Sequence, residues 1–486
     1  MTQQRASEPE PEGKRDPSRG DLPDAGGAAA LSPPETPMWR RPEVQTLVIS
    51  RAATGVGIAT LMYGAMVWLA TTGASQLAVS FTGMVRYGAA LVFGVAAGSV
   101  ADLTAKRTAL FSSYAIQAAC CFLIPTFFGT SLPSLLLLLL IVAVLGQITA
   151  PAIMAATALV ARTSEMAAVA AIISVAGGIG TAIGSAFLAP LLIRSFGIRG
   201  VMYTAGVILL FGATRGLKLP DEAGKAKFRA ALRQVEWRES VPSLEKTAHW
   251  LGDNRAVGSI LLVGSIVLAL FDGMNTLMPV YVRDVLHSDP TNMVYIFAPG
   301  AVGFMLASIL GPILMGRFGE RPVAVLSLGL MTVGMISFGF VYQLAPIVAP
   351  LSPLRLVAVI GLEVPPLVAA AGFLAIPASL GSTLAAASVQ TYINRRVPLE
   401  RQGSTFGLQA VVDNGLTLTT ILLLGLAASL VGSRIVFAIA PLLVLLVAIW
   451  LVRYSVGQQG DEPVTSRQAL RALLGYKDDP DAEPTG

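Results

Sequence analysis

The chain has 486 residues, of which 54% are hydrophobic and only 13% charged, with a mean hydropathy of +0.68 and a formal net charge of +5. Soluble globular proteins carry about 25% charged residues, so this chain lacks the polar surface to face water, and a soluble enzyme or binding domain is excluded. The two cysteines, Cys120 and Cys121, sit side by side in one apolar stretch and read as small packing residues, which excludes a disulfide scaffold and a cysteine metal cluster.

Residues 1–45 are rich in Pro, Glu, Gly, Asp and Arg, lack the apolar region of a signal peptide, and are expected to form a disordered cytoplasmic tail. Beyond them, apolar segments of about 20 residues, long enough to cross a hydrocarbon core about 30 Å thick, recur with short connections. Spans are predicted at 46–71, 77–99, 108–128, 134–160, 167–193 and 198–216 in a first half, 46–216. The polar stretch 217–256 is the longest internal one and reads as a cytoplasmic central loop. A second half, 257–454, holds spans at 257–282, 292–315, 322–344, 365–392, 403–430 and 434–454, and a polar cytoplasmic tail follows from 455 to 486. The expected fold class is an all-α membrane protein of twelve transmembrane helices in two six-helix halves.

Lys and Arg are distributed by side. Placing the termini in the cytoplasm puts 27 of them on that side and five on the other, namely Arg194, Arg199, Arg283, Arg355 and Arg434, with Arg51 and Arg86 inside spans. Positively charged connections stay cytoplasmic, which predicts a multi-pass protein of the plasma (inner) membrane with both ends inside. The same placement explains the net positive charge without nucleic acid as a partner. In the central loop, Lys225, Lys227, Arg229, Arg233 and Arg238 alternate with Phe228, Leu232, Val235 and Trp237, a pattern for lying along lipid headgroups or for a solvated tether.

Two connections at equivalent places in the halves carry a related pattern. The first is Gly98-Ser-Val-Ala-Asp102-Leu-Thr-Ala-Lys106-Arg107 after the second span, and the other is Gly311-Pro-Ile-Leu-Met-Gly316-Arg317-Phe-Gly319-Glu320-Arg321 after the eighth. Together they resemble the Gly-x-x-x-Asp-Arg-x-Gly-Arg-Arg loop of the major facilitator superfamily. The first copy has Leu103 and Ala105 where the pattern has Arg and Gly, and the second has Gly316 at the acidic place. The fifth span holds Gly177-Gly178-Ile-Gly180-Thr-Ala-Ile-Gly184-Ser185, which resembles the glycine-rich fifth helix of proton-linked drug exporters of that superfamily, without the usual proline. Close helix packing explains the same glycines.

The resemblance implies pseudo-symmetric halves that rock about a midplane site, with the second helix packed on the eleventh. It also implies that Asp102 meets the positive N-terminus of the eleventh helix near Gly403 and latches the cytoplasmic side, the alternative being that Asp102 balances Lys106 and Arg107.

Charge inside a bilayer costs at least about 2.5–3.5 kcal/mol at a helix centre, so Arg51, Arg86, Asp272 and Asp413 are the transport and coupling candidates. Arg51 is near enough to the cytoplasmic end of its span to snorkel. Arg86 and Asp413 both lie about 14–15 Å deep at 1.5 Å per residue. They are expected to form a moving ion pair between the halves, a static one that docks them, or no pair, each facing a wet cavity. Asp272, beside Gly273, is a candidate proton carrier or partner for a cationic substrate. Gln147, Asn275, Gln390 and Asn394 are candidate cavity donors or helix bridges, and Glu363 is placed at the outer mouth. His249 and His287 are isolated.

The function expected is a monomeric secondary transporter with a small-molecule substrate. Proton-coupled efflux of an amphipathic or hydrophobic solute is the leading form, and a lipid or nutrient transporter of the same fold, a polytopic membrane enzyme or a transport-inactive scaffold are the alternatives. No Gly-x-x-x-x-Gly-Lys-Ser/Thr phosphate loop occurs, which disfavours a nucleotide-driven pump. No cofactor, metal site or catalytic residue is expected.

Overall fold

The computed structural model describes residues 41–161, 165–219, 247–252, 254–354 and 364–457. Residues 1–40 of the N-tail, the basic and aromatic stretch of the central loop, Glu363 and residues 458–486 of the C-tail lie outside these residues, whereas the first helix already begins at Pro42 and the last runs on to Gly457.

The first half opens with α1 (Pro42–Thr71), α2 (Gln76–Leu103), α3 (Lys106–Phe127) and α4 (Leu132–Val160). The fifth span is α5 (Met166–Ala182), which runs through a π-helical turn, Ile183–Leu188, into α6 (Ala189–Gly216). Inside α6, Gly197 has φ 65° and ψ −167°, a backbone conformation favoured only for glycine. The chain reverses there. On α1, Ala52 and Val56 back onto Gly180 and Gly184 in parallel order, whereas Thr54, Gly57 and Gly64 meet Gly212, Leu209 and Val201 in antiparallel order. The segments before and after Gly197 therefore point in opposite directions and form the fifth and sixth spans.

The second half consists of α7 (Arg255–Asp284), α8 (Val294–Phe318), α9 (Glu320–Gly339), the short α10 (Val341–Val348), α11 (Pro366–Arg396), α12 (Leu399–Val431) and α13 (Ser433–Gly457). Counting the reversal at Gly197, the described residues form twelve helical passes. The ninth pass is shorter than the 322–344 expected. Phe340 leaves helical geometry, and Arg434 of α13 donates from Nε to the Gly339 carbonyl at 3.1 Å, taking up an acceptor at the helix end.

Local chemistry sets the other ends. Ser75 and Ser131 cap α2 and α4 by accepting from the Ala78 and Ser134 amides. Lys106 is buried, and its Nζ donates to the Ala101 carbonyl at 2.8 Å and the Thr104 carbonyl at 3.3 Å, so a cation closes the negative end of α2. Gly319, at φ 82°, breaks the chain between α8 and α9, which gives the glycine of the second loop copy a conformational reason.

The surface is inverted relative to a soluble protein. Phe127, Leu326, Leu430 and Trp450 are exposed on the outside, while the passes are helices whose backbone polar groups bond internally, as hydrocarbon demands. Inside the second half, Tyr281 stacks on Phe437 at 4.5 Å and donates to the Phe338 carbonyl at 2.6 Å, locking α7, α9 and α13 together.

The halves meet along α2 and α12, as the resemblance implies. Gly425 faces Ser80, Leu418 faces Gly88 and Gly415 faces Leu91 in antiparallel register. Hydrogen bonds between described residues cross the halves at two levels. One lies at the face that carries the α1–α2 connection. There Arg283 Nη1 donates to the carbonyls of Ala70 (3.0 Å) and Ala74 (3.1 Å), and Gln76 Nε2 donates to Asp284 (3.3 Å) and Ser433 (3.1 Å). The other lies at the middle of α2 and α7.

Candidate functional site

At that middle level, Tyr87 Oη donates to Asp272 Oδ2 at 2.8 Å, joining the two halves. Gly83 and Tyr87 lie one turn apart on α2 and share a face. The close approach of Gly83 to Thr276 brings α2 against α7 and sets Tyr87 against Asp272. Thr276 in turn donates to the Asp272 main-chain carbonyl at 2.9 Å, which leaves the carboxylate free for Tyr87. Arg86 and Tyr63 of α1 lie within electrostatic reach of the same carboxylate. The Arg86 side chain is accessible even though Tyr63, Tyr87 and Asp272 lie within electrostatic reach of it. The cluster therefore combines one cation, one carboxylate and two phenols.

Arg86 and Asp413 do not pair. In the register of the α2–α12 seam, Arg86 lies opposite the neighbourhood of Thr420, about two helical turns, or about 10 Å, from Asp413. Asp413 is turned toward α7, beside Ser265 and within electrostatic reach of Asp272, and its Oδ1 is buried without a hydrogen-bond partner among the described residues. Arg86 lies instead within electrostatic reach of Asp272 on α7.

Arg51 is half-buried against α5. Its guanidinium lies across Gly177 of α5, where a Cβ would come within 2.6 Å of Nε, and it is within electrostatic reach of Tyr114. The glycine-rich stretch is largely a packing seam. Gly177, Gly180 and Gly184 allow α5 and its π-turn to pack closely on α1, while Gly178 faces the other half, where a Cβ would lie 3.9 Å from the Phe304 ring.

Among the cavity candidates, Gln147 donates to the Ala143 carbonyl at 3.4 Å and has its Oε1 toward Gly94 of α2. Asn275 lines a recess within the second half. Gln390 and Asn394 are exposed near the end of α11. Of the loop motifs, Lys106 caps α2 as described, Arg107 is half-buried, and Arg317 is exposed over the Phe318 ring at 5.6 Å. Glu320 accepts from Arg395 of α11 at 2.9 Å. The side chains of Asp102, Arg321 and residues 399–404, and the surroundings of Gly98, lie outside the described set, and with them the Asp102 contact to the eleventh helix.

Tyr63, Tyr87 and Ser265 carry no charge, so a search for buried ions passes over them. The available signal is positional, since Tyr87 follows a buried arginine directly.

Among the described residues, no group of three or more His, Cys, Asp or Glu is placed to hold a metal ion.

A sequence profile of the Major Facilitator Superfamily matches residues 47–377. A search of curated protein sequences returns no match. Solved structures with the same fold include the nucleoside transporter NupG (13% identity, TM-score 0.60, 85% of this chain and 98% of that one). A bacterial homologue of the human lysosomal transporter Spinster, inward-facing and occupied, aligns with 12% identity and a TM-score of 0.61 over 92% of this chain and 100% of that one. A bacterial homologue of the iron transporter ferroportin, also inward-facing, aligns with 16% identity and a TM-score of 0.58 over 85% and 98%. At these identities the likeness concerns the fold. The profile covers more than half of the sequence, and with the two six-pass halves around a charged midplane cluster it leads to one conclusion: the chain belongs to the Major Facilitator Superfamily and is a membrane transporter rather than an enzyme.

Proposed function

We propose that the protein is a monomeric secondary transporter of a small amphipathic solute, exported against a proton gradient across the plasma membrane, with Asp272 as the coupling carboxylate. The observation that carries this is the Tyr87–Asp272 hydrogen bond, with Arg86 beside it, joining the halves at mid-helix. Transporters of this architecture place substrate and coupling ions where discontinuous or facing helices meet near the midplane. A carboxylate that exchanges a proton exchanges its affinity for Tyr87 and Arg86 at the same time. Loss of the charge weakens the bond between the halves and favours their separation.

The positive-inside distribution supports placing the termini in the cytoplasm. The face closed by Arg283 and Gln76 is then the outer one, and the halves rock about α2–α12 and about the contact of Gly178 with Phe304. The mostly apolar surroundings of the cluster, with Phe271 and Phe297 near it, favour a lipophilic solute over a highly charged nutrient.

The test is flux in proteoliposomes under an imposed pH gradient, screened across cationic drugs, neutral lipophiles and lipids. Gradient-driven movement of a lipophilic compound supports the proposal. Flux indifferent to the gradient for every transported compound contradicts proton coupling.

A further inference from the structure

On the side of the cluster away from Arg283 and Gln76, α7 and α12 run side by side within the second half and in the same direction. Gly273 of α7 faces Thr420, Ile421 and Leu424 of α12, and Ser265 of α7 lies beside Asp413. Ser265 and Gly273 are eight residues apart, as are Asp413 and Ile421, so the two contacts share one register. That register puts Thr420 level with Asp272.

Along α12, polar side chains recur every fourth residue as Thr405, Gln409, Asp413 and Thr417. Residues at this spacing form one ridge of a helix, and the half-buried Thr420 continues it to the level of Asp272. Thr405, Gln409 and Thr417 are buried, as is Ser265 on α7, two turns before Asp272. Apolar side chains, among them Val257, Leu261, Phe406 and Val412, pack beside this row. Thr405 Oγ1 and Asp413 Oδ1 are buried with no hydrogen-bond partner among the described residues. A row kept only to glue two helices together would pair such oxygens across the seam, because hydrocarbon penalises each one left over.

The charged groups around Asp413 do not neutralise it. Asp272 on α7 lies within its electrostatic reach. On α2, Arg86 and Tyr87 stand about two turns away along the seam. The α13 helix has no ionisable side chain between Arg434 and Arg453, and Arg395, Arg396 and Arg401 belong to the helix ends, with Tyr392 packed beside Val257 and Leu261. Two carboxyl groups in one field favour holding a proton between them.

We propose that this row is the proton route between Asp272 and the end of α12 that the positive-inside distribution places in the cytoplasm, with Asp413 as its relay. The proposal rests on the coupling role of Asp272 given above and adds the path by which its proton leaves. Asp272 and Asp413 are about 10 Å apart along the helices, too far for a single transfer, which needs heavy atoms about 3 Å apart. The Thr420 and Thr417 hydroxyls occupy the levels between them. Each hydroxyl accepts a proton from one neighbour and gives its own to the next. Asp272 ends as the carboxylate, Asp413 as the acid, and the hydroxyls are unchanged. Gln409 and Thr405 carry the row onward to the helix end. Because both helices belong to one half, a proton leaves by this route while solute still occupies the gap between the halves.

The experiment uses the full chain in nanodiscs with no solute present. Protons are released by a light flash from 2-nitrobenzaldehyde, and time-resolved infrared follows the carboxyl C=O band of Asp272, identified as the band absent in Asp272→Asn. Thr417→Val, which keeps shape and charge, is expected to slow the rise of that band at least tenfold with its final amplitude unchanged. Asp413→Asn is expected to slow it at least as much. Thr419→Val, at an exposed position of α12 off the row, is expected to keep the wild-type rate. Thermal melting confirms that each variant is folded. Equal rates in wild type, Thr417→Val and Asp413→Asn overturn the route, and so does equal slowing in Thr419→Val. The two readings fail differently: a wild type with no band attributable to Asp272 contradicts its coupling role and the route with it, whereas an Asp272 band that rises equally fast in every variant overturns the route alone.

Discussion

Tyr87 and Asp272 lie on different halves of the molecule and are joined by a hydrogen bond of 2.8 Å near the middle of their helices. Both belong to the interior of a membrane protein, where a carboxylate is tolerated only with partners, and the second partner, Arg86, is Tyr87's neighbour in the chain. Replacing Tyr87 with Phe removes one hydrogen bond to a charged group, an interaction of about 1.5–3 kcal/mol. Flux is expected to fall about three- to thirtyfold. Asp272→Asn, which also leaves Arg86 without its carboxylate, is expected to abolish gradient-driven flux. Initial rates in proteoliposomes at matched protein density check both.

At the face proposed as the outer one, Arg283 donates to two main-chain carbonyls, Ala70 and Ala74, at the end of α1 and just beyond it. In Arg283→Ala those carbonyls lose a cation, and Gln76 alone remains to bridge the halves at that face. Two lost charge-assisted hydrogen bonds bias the equilibrium by about 2 kcal/mol or more. The separation between spin labels at Thr72 and Ser288 is expected to shift toward longer distances, with the open population rising at least tenfold. An unchanged distance distribution would place the closure elsewhere.

The glycine seam between α1 and α5 makes a contrast within one motif. A Cβ on Gly180 would run into the main-chain oxygen of Ala52, and backbone cannot move aside easily, whereas a Cβ on Gly178 meets the Phe304 ring at an ordinary 3.9 Å. Gly180→Ala is expected to destabilise by about 1–3 kcal/mol, the usual cost of overpacking. Gly178→Ala is expected to be neutral. Melting in detergent, followed by tryptophan fluorescence, compares them.

Lys106 is buried against the end of α2 and donates to Ala101 and Thr104. Lys106→Met keeps the stem and removes the donors. A loss of about 1–3 kcal/mol is expected from the freed carbonyls, again by melting, with Lys106→Arg retaining part of the stability.

The fold was legible because bilayer thickness dictates span length, and the twelve apolar segments have that length with few ambiguous boundaries. The ninth span is the exception: its end is set by Arg434, a residue about 95 positions away, and hydropathy carries no record of a distant cap. The charged cluster was half legible. Arg86, Asp272 and Asp413 announce themselves by their cost in lipid, but which cation meets which carboxylate depends on helix rotation and register. Depth alone matched Arg86 with Asp413, while Gly83 against Thr276 rotates α2 toward α7 instead. Tyr63 and Tyr87 are neutral and were invisible to a search for charge. The recess lined by Asn275 is assembled from five helices, a juxtaposition that no local pattern encodes.

The coupling of solute to proton through Asp272 is tested most directly by running the exchange backward. Proteoliposomes at equal pH inside and out are given an outward gradient of a transported solute, and lumenal pH is followed with an entrapped dye. Wild-type protein is expected to shift lumenal pH in proportion to solute moved, and Asp272→Asn to leave it unchanged. An equal pH shift in both, or solute movement without any shift in the wild type, would contradict the assignment.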